Sequence, residues 1–354
     1  MKKKLCFVIQ SLEIGGSSRL VHDLVLGITP QSFDVYLIVF FNKIADQYSD
    51  LPKVLGNHFI VLHKRKTVDI PFMKRLKKTL QSIKPDIVSS HLTCIFYLNF
   101  FLNYKTMSVF HTIHNKPSAD LPWPYRFVLS PNIHRGKIHL VGCSNYVAIE
   151  GQKLYHVRVV PIQNGIVLPN QNLLPRSRQY SFLCVGRFTA IKRFTDLVKA
   201  FALVHQKIPS ATLCICGYGP EKGNILLEIK RQGLTESVFV FDQTTAVSTL
   251  YSNSKIFCLF SSREGAPIAI LEALSWGIPV VATEVNGVPD FVKDGYNGFL
   301  FRTGDIEKAA FLMNAMLSND EQFSRMSKQA LDSSKNFSIE KTIDLYTSLF
   351  NGRL

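Results

Sequence analysis

The chain has 354 residues, 46% of them apolar, which is too long for one ordinary core and suits two domains of roughly 150–200 residues. Apolar residues spread along the whole length exclude a largely disordered chain, seven cysteines without framework spacing read as core residues in a reducing cytoplasm, and no stretch approaches the ~20 apolar residues of a membrane span. The formal charge of +15 is uneven, with 21 Lys and Arg against 9 Asp and Glu in residues 1–170 (net +12) and 20 against 17 in the rest (net +3), so the first half is expected to meet an anionic surface or substrate: membrane lipid, a phosphorylated acceptor and nucleic acid all fit the sign.

The start carries a basic flank and an apolar run from Leu5 to Ile9 before Gln10 and Ser11. That run is shorter than the roughly 7–15 residues of a secretory signal, so residues 5–10 read as a first strand. A Gly15-Gly16 loop follows, then a helical stripe at Leu20, Val21, Leu24, Val25 and Ile28, closed before Pro30. Strands are expected at 35–40, 87–90 and 108–113. A helix over about 71–83 would place Phe72, Met73, Leu76, Leu80 and Ile83 on one face, and it lies among the cations Lys64, Arg65, Lys66, Lys74, Arg75, Lys77 and Lys78. That is the pattern of an interfacial helix on anionic lipid; the alternative is that the apolar face is core and the cations are solvated.

Residues 164–181, rich in Pro, Asn, Arg and Gln, read as a linker. The second half restarts the programme. Strands are expected at 182–185, 211–216, 238–241, 256–260 and 279–282, with helices at 195–205, 225–232, 247–252 and 268–276. Amphipathic helices over about 306–316, 321–333 and 339–350 close the chain. Strands separated by helices imply parallel pairing. The expected fold is α/β, two doubly wound domains facing each other across a cleft, with ligands at the carboxyl ends of the strands.

Four motifs stand at such ends. Gly186-Arg187, with Lys192 five residues later, offers a guanidinium fork and a point charge for a diphosphate, or else is only a solvated basic loop. Glu264-Gly265-Ala266-Pro267 leads into a helix that starts with Ile268 and carries Glu272. Pro267 fits the first helical turn and Gly277 the stop. Free backbone N–H groups there would cradle an anion, while the two carboxylates suit sugar hydroxyls. Gly15-Gly16 lets the backbone approach a ligand closely, although many such turns carry glycine for turn reasons alone. His111 and His114 sit three apart on a strand end, on opposite faces, so a shared metal is disfavoured and one histidine offering a hydrogen bond is preferred. Gly217-Tyr218-Gly219-Pro220 is not a dinucleotide fingerprint, because the third glycine, Gly223, comes one position late.

In order, these pieces resemble glycosyltransferase family 4, retaining transferases of the GT-B fold. The resemblance covers nearly the whole chain and is densest from Val159 to Phe301. It rests on Gly15-Gly16, Pro85-Asp86-Ile87-Val88 with His91, Thr112-Ile113-His114-Asn115, Asn164-Gly165-Ile166, Gly186-Arg187 with Lys192, Gly217-Tyr218-Gly219-Pro220, and Glu264 with Glu272 ahead of Gly277-Ile278-Pro279. It implies an acceptor-side domain over 1–165, a nucleotide-sugar domain over 166–337, and a last helix, about 338–354, packing back on the first. It implies a catalytic set of Glu264, His114, Arg187 and Lys192. Arg187 and Lys192 would hold the donor diphosphate, Glu272 the ribose, Glu264 the donor sugar, and His114 would reach that sugar from the first domain. Gly16, Gly217, Gly265, Ala266, Pro267 and Ile268 would complete the donor site. No metal and no cofactor is implied. Ala266 replaces the large aromatic often found there, and the loop at Asp242-Gln243-Thr244-Thr245 lacks a frequent glycine. A UDP-sugar donor, a glycan or lipid-linked acceptor in bacterial surface polysaccharide synthesis, and a cytoplasmic location peripheral to the membrane follow as expectations. The rivals are a nucleotide-sugar epimerase of the same architecture and a basic binding protein; for the latter no nucleic-acid motif is present and the paired glutamates go unexplained.

Overall fold

The structure is a computed structural model and describes residues 2–28, 32–65, 69–170, 178–242 and 247–354. The chain divides into two compact units, residues 1–165 with 339–354, and residues 166–338.

The first unit runs β1 (Lys3–Ile9), α1 (Gly16–Gly27), β2 (Phe33–Val39), α2 (Leu51–Leu55), β3 (Phe59–Val61), α3 (Ile70–Ile83), β4 (Ile87–His91), α4 (Cys94–Leu98), β5 (Ser108–Ile113), α5 (Pro117–Asp120), α6 (Trp123–His134), β6 (Ile138–Gly142), α7 (Asn145–Tyr155) and β7 (Val159–Pro161). Its seven strands are all parallel, in the order β3-β2-β1-β4-β5-β6-β7. Leu5 through Ile9 are wholly buried, the reason β1 reads as a continuous apolar run: helices cover both faces of a parallel sheet.

The second unit runs β8 (Tyr180–Val185), α8 (Phe194–Lys207), β9 (Leu213–Cys216), α9 (Lys222–Arg231), β10 (Val238–Phe241), α10 (Val247–Ser252), β11 (Ser254–Leu259), α11 (Ile268–Ser275), β12 (Val280–Thr283), α12 (Val288–Phe291), β13 (Gly298–Phe301), α13 (Ile306–Leu317) and α14 (Asp320–Ser334). Its six parallel strands are ordered β10-β9-β8-β11-β12-β13. Both sheets therefore reverse their winding once, between β1 and β4 and between β8 and β11. The crevice above such a reversal is where doubly wound sheets take ligands. The last helix, α15 (Ile339–Phe350), belongs to the first unit. Its Tyr346 hydroxyl lies 3.0 Å from Thr112 Oγ1, and Phe350 packs edge-on against Phe7, Phe33 and Phe110.

Strands β3, β6, β7 and β13 were not among the expected elements. They are three to five residues long and lie at or next to the sheet edges. Pro30, the expected helix stop, lies outside the described residues, but α1 closes ahead of it with Ile28 N–H on Leu24 O.

Helix α3 corrects the interfacial reading. Its side chains Phe72, Leu76, Leu80 and Ile83 recur at helical spacing and are all buried, so the apolar face is core. Asp69 caps the helix by accepting from Phe72 N–H at 2.9 Å. Lys64 is 7% exposed, with its ammonium 5.2 Å from the Phe41 and Tyr97 ring centroids and 5.7 Å from that of Phe72; burial lowers its pKa. Arg75 donates to the carbonyls of Leu62 and His63. Neither Lys64 nor the apolar stripe is available to a lipid surface. Arg65, Lys74, Lys77 and Lys78 are exposed, and Lys66 lies outside the described residues.

Candidate active site

The second sheet's reversal point gathers the residues expected on the donor side. Strand β8 ends at Val185, and the loop after it carries exposed Arg187 and a 3-10 turn, Ala190–Lys192. The loop after β11 carries Glu264. These two loops are stitched together. Ser262 N–H donates to Ile191 O at 2.8 Å and the Ser262 hydroxyl to the same oxygen at 3.2 Å. Lys192 Nζ donates to Glu264 Oε1 at 2.6 Å, with the two side chains 24% and 10% exposed. An ammonium has three protons, so Lys192 can hold Glu264 and still offer a donor to a phosphate oxygen. Arg187 lies over the Tyr218 ring at 5.8 Å and makes no ion pair among the described residues.

The loop after β9 is pressed against this site. A Cβ at Gly217 would fall 1.9 Å from Gly186 O, and one at Gly219 would fall 2.4 Å from Phe188 O. Phe188 N–H donates to Tyr218 O at 2.7 Å in the same contact. Glycine at 217 is thus required by backbone packing of these loops themselves.

Glu264 precedes α11, whose first residue is Ile268. Pro267 stands just outside the helix as its extended N-cap, one position earlier than expected. Gly265 and Pro267 are buried, Ala266 and Ile268 half-buried. The helix ends in a Schellman motif: Gly277 has φ +65°, its N–H donates to Leu274 O, and Ile278 N–H donates to Ala273 O, each at 3.0 Å. Arg178 covers the same end, donating to the carbonyls of Ser254, Trp276 and Gly277. Glu272, one turn into α11, accepts from the fully buried Tyr251 hydroxyl at 2.9 Å. Burial and this carboxylate push the Tyr251 pKa well up, so the phenol remains a donor. Tyr251 carries no signal in sequence beyond being an aromatic in a short helical stretch. Gln243, Thr244 and Thr245 lie outside the described residues; Asp242 is paired with Lys222 at 2.7 Å.

The first sheet's reversal point gathers a second group. Gly15 is the N-cap of α1 and Gly16 its first residue. A Cβ at Gly15 would meet nothing within 4 Å and its backbone is extended, so neither packing nor conformation within the chain calls for glycine there. Across the reversal, Gln10 Nε2 bonds to Thr93 Oγ1. His114 follows β5 and His91 ends β4, and their rings meet with His91 Nδ1 2.9 Å from His114 Nε2. Asp120 Oδ1 accepts from His114 N–H at 3.0 Å. Burial lowers the His114 pKa to about 4, against the neighbouring Asp120, which raises it. His111 points elsewhere, 3.4 Å from Asp120 Oδ2. No group of three or more potential ligands suited to a metal occurs among the described residues.

The second doubly wound unit thus brings a paired Lys and Glu, and an exposed Arg on the same loop as the Lys, to the reversal point of its sheet, an arrangement suited to an anionic ligand. Residues 14–168 match the model of Glycosyltransferase Family 4 and residues 170–332 that of Glycosyl transferases group 1, and the chain belongs to glycosyltransferase family 4. It is 32% identical over 187 residues to an uncharacterized glycosyltransferase of Haemophilus influenzae, covering 52% of this chain, and spans about half (53%) of that relative's length. It is 27% identical over 310 residues to the UDP-Gal:alpha-D-GlcNAc-diphosphoundecaprenol alpha-1,3-galactosyltransferase of Escherichia coli, covering 80% of this chain and 79% of the relative. The crystal structure of Anabaena HepE in complex with UDP and glucose superimposes with a TM-score of 0.84 at 16% identity, over 99% of this chain and 100% of that one, which establishes the GT-B fold.

Proposed function

We propose that this protein transfers a sugar from a UDP-sugar to a glycan or lipid-linked acceptor in the synthesis of a bacterial surface polysaccharide. The observation that carries the reading is the Lys192–Glu264 pair at the reversal of the second sheet, with Arg187 exposed on the same loop as Lys192. As the glycosyl–phosphate bond breaks, negative charge grows on the departing diphosphate. Arg187 and Lys192 stand ready to neutralise it from fixed positions. Glu264 orients Lys192 and accepts from a sugar hydroxyl through its second oxygen. Glu272, held by Tyr251, accepts from the ribose. The buried backbone at Gly265 and Pro267 and the start of α11 at Ile268 shape the anion site.

His114 donates a hydrogen bond to the donor sugar, and the open space at Gly15, beside Gly16 at the start of α1, admits the phosphates or the acceptor. No protein nucleophile is needed: acceptor attack on the face the phosphate leaves, with the phosphate taking the proton, gives retention. The UDP preference is supported by the relatives and neighbours whose names and titles carry UDP. The undecaprenol-linked acceptor named for the Escherichia coli relative, together with the net +12 of residues 1–170, supports an acceptor at an anionic membrane surface and a peripheral, cytoplasmic-face location. Neutralisation by Arg187 and Lys192 makes a divalent cation unnecessary, so transfer persists in EDTA; an enzyme that dies in EDTA and recovers with manganese overturns that part.

The test is calorimetric titration with a panel of UDP-, GDP- and ADP-sugars, followed by transfer assays with the binder. Micromolar to millimolar binding of one donor, lost in Arg187→Ala, is expected. Binding of no nucleotide sugar overturns the reading.

A further inference from the structure

Ser89, His91 and His114 form a linear chain of side chains at the reversal of the first sheet. Ser89 Oγ lies 3.3 Å from His91 Nε2, and His91 Nδ1 lies 2.9 Å from His114 Nε2. Ser89 and His91 are fully buried, while His114 keeps 8% of its surface exposed. His114 Nδ1 has no partner among the described residues, yet it is not one of the buried polar atoms left unpaired, so it is open to solvent. The chain admits two directions of donation. If His114 Nε2 donated to His91 and His91 Nε2 donated to Ser89, the buried Ser89 hydroxyl proton would have no acceptor among the described residues. If Ser89 donates to His91 Nε2 and His91 Nδ1 donates to His114 Nε2, every buried proton is used. An orphaned buried donor is the costlier error, so the second direction prevails.

We propose that His91 is a positioning residue which, driven by Ser89, fixes His114 as the Nδ1–H tautomer, so that His114 presents a donor and not a base at its exposed edge. The proposal rests on the glycosyl-transfer reading only for what that donor meets. A neutral N–H aimed at a sugar oxygen holds the substrate without competing for the acceptor's proton. The groups facing His114 are His91 from β4, His111 from β5 and Asp120 from α5. Burial and His111 favour the neutral ring and Asp120 opposes them, with burial prevailing, so the ring stays neutral across the working pH range.

The test reads the ring nitrogens directly. Long-range nitrogen–proton NMR of histidine-labelled protein, with His114 assigned by its loss in His114→Gln, is expected to show a protonated Nδ1 and an unprotonated Nε2 from pH 6 to 8. A proton on Nε2, or a titration near pH 6.5, overturns the proposal. Two variants separate positioning from packing. In His91→Asn the amide nitrogen takes the place of Nδ1 and still donates, so the His114 spectrum and kcat/KM for the donor stay within about threefold. In His91→Leu, of similar bulk but no donor, both tautomers appear and kcat/KM falls about tenfold, the worth of one hydrogen bond. Equal loss in both variants assigns His91 to packing and sinks the idea. Should no nucleotide sugar be turned over, the functional reading fails, while the ring spectrum still decides the tautomer.

Discussion

Lys192 and Glu264 are 72 positions apart in the chain and meet at 2.6 Å, one on the loop after the first strand of the second sheet and the other on the loop after the fourth. Each loop alone is ordinary; the reversal of the sheet makes them neighbours.

From that pairing, Arg187→Ala and Lys192→Ala should each lower the transfer rate by about 10²–10³, the usual loss when one charge-stabilising group leaves a reacting centre. Arg187 is exposed and makes no ion pair among the described residues, so its removal should leave the melting temperature nearly unchanged. Lys192→Ala should also destabilise by about 1–2 kcal/mol, because Glu264 loses a charge-assisted partner at a mostly buried site. Rates near wild type in both variants would remove the cations from the donor site.

Tyr251→Phe isolates the orientation of Glu272. The lost hydrogen bond to a carboxylate is worth about 1.5–3 kcal/mol. With Glu272 reading the ribose, the expected result is a KM for the nucleotide sugar raised about tenfold with kcat almost unchanged. An unchanged KM would mean that Glu272 needs no tether or does not touch the donor.

Acid should destabilise the first unit through its histidines. The His114 pKa falls to about 4 and that of His91 goes well below its ordinary value, burial being the main cause for both. In the unfolded chain these rings take up protons near pH 6.5. Between 6.5 and about 4 unfolding therefore absorbs protons, and stability is lost as the pH falls through that window. For His114 alone the full effect is on the order of 3 kcal/mol. His22 works in the opposite sense. Burial lowers its pKa, but bonds to Asp23 and Asp50 outweigh this and raise it, so its contribution is present in acid and lost as pH rises. Thermal melts at pH 7 and pH 5 should show a lower midpoint at pH 5, with a smaller drop in His114→Gln. Identical drops would remove His114 from the cause.

Membrane attachment, if electrostatic, should be reversible by salt. The apolar face of α3 is core, which leaves Arg65, Lys74, Lys77 and Lys78 as exposed cations there. Each is worth roughly 1 kcal/mol near an anionic surface. The protein should float with phosphatidylglycerol vesicles at low ionic strength and be released by about 0.5 M salt. The variant Lys74→Gln, Lys77→Gln, Lys78→Gln should stay behind; it spares Arg75, which bonds the carbonyls of Leu62 and His63. A wild-type protein that stays soluble with anionic vesicles at low salt points to a soluble acceptor.

The alternation of apolar strands and amphipathic helices is local, so the sequence by itself determined two parallel α/β units and many of their elements, β1, β4, β8 and α11 among them. The ordered motifs likewise placed Arg187, Lys192 and Glu264 on loops after strand ends and Glu272 inside the helix that follows, because turn chemistry is written in neighbouring residues. Tertiary structure decided the rest. Short strands such as β3 and β7 exist only by pairing with an edge already formed. The face of α3 is apolar whether it meets lipid or core, and only packing against the sheet tells the two apart. Lys64 counts as a surface cation until Phe41, Phe72 and Tyr97 are seen around it. Tyr251 finds Glu272, and His91 finds His114, across 21 and 23 positions of chain. Such side-chain pairs leave no periodic trace in sequence, because strand order and not residue spacing brings them together.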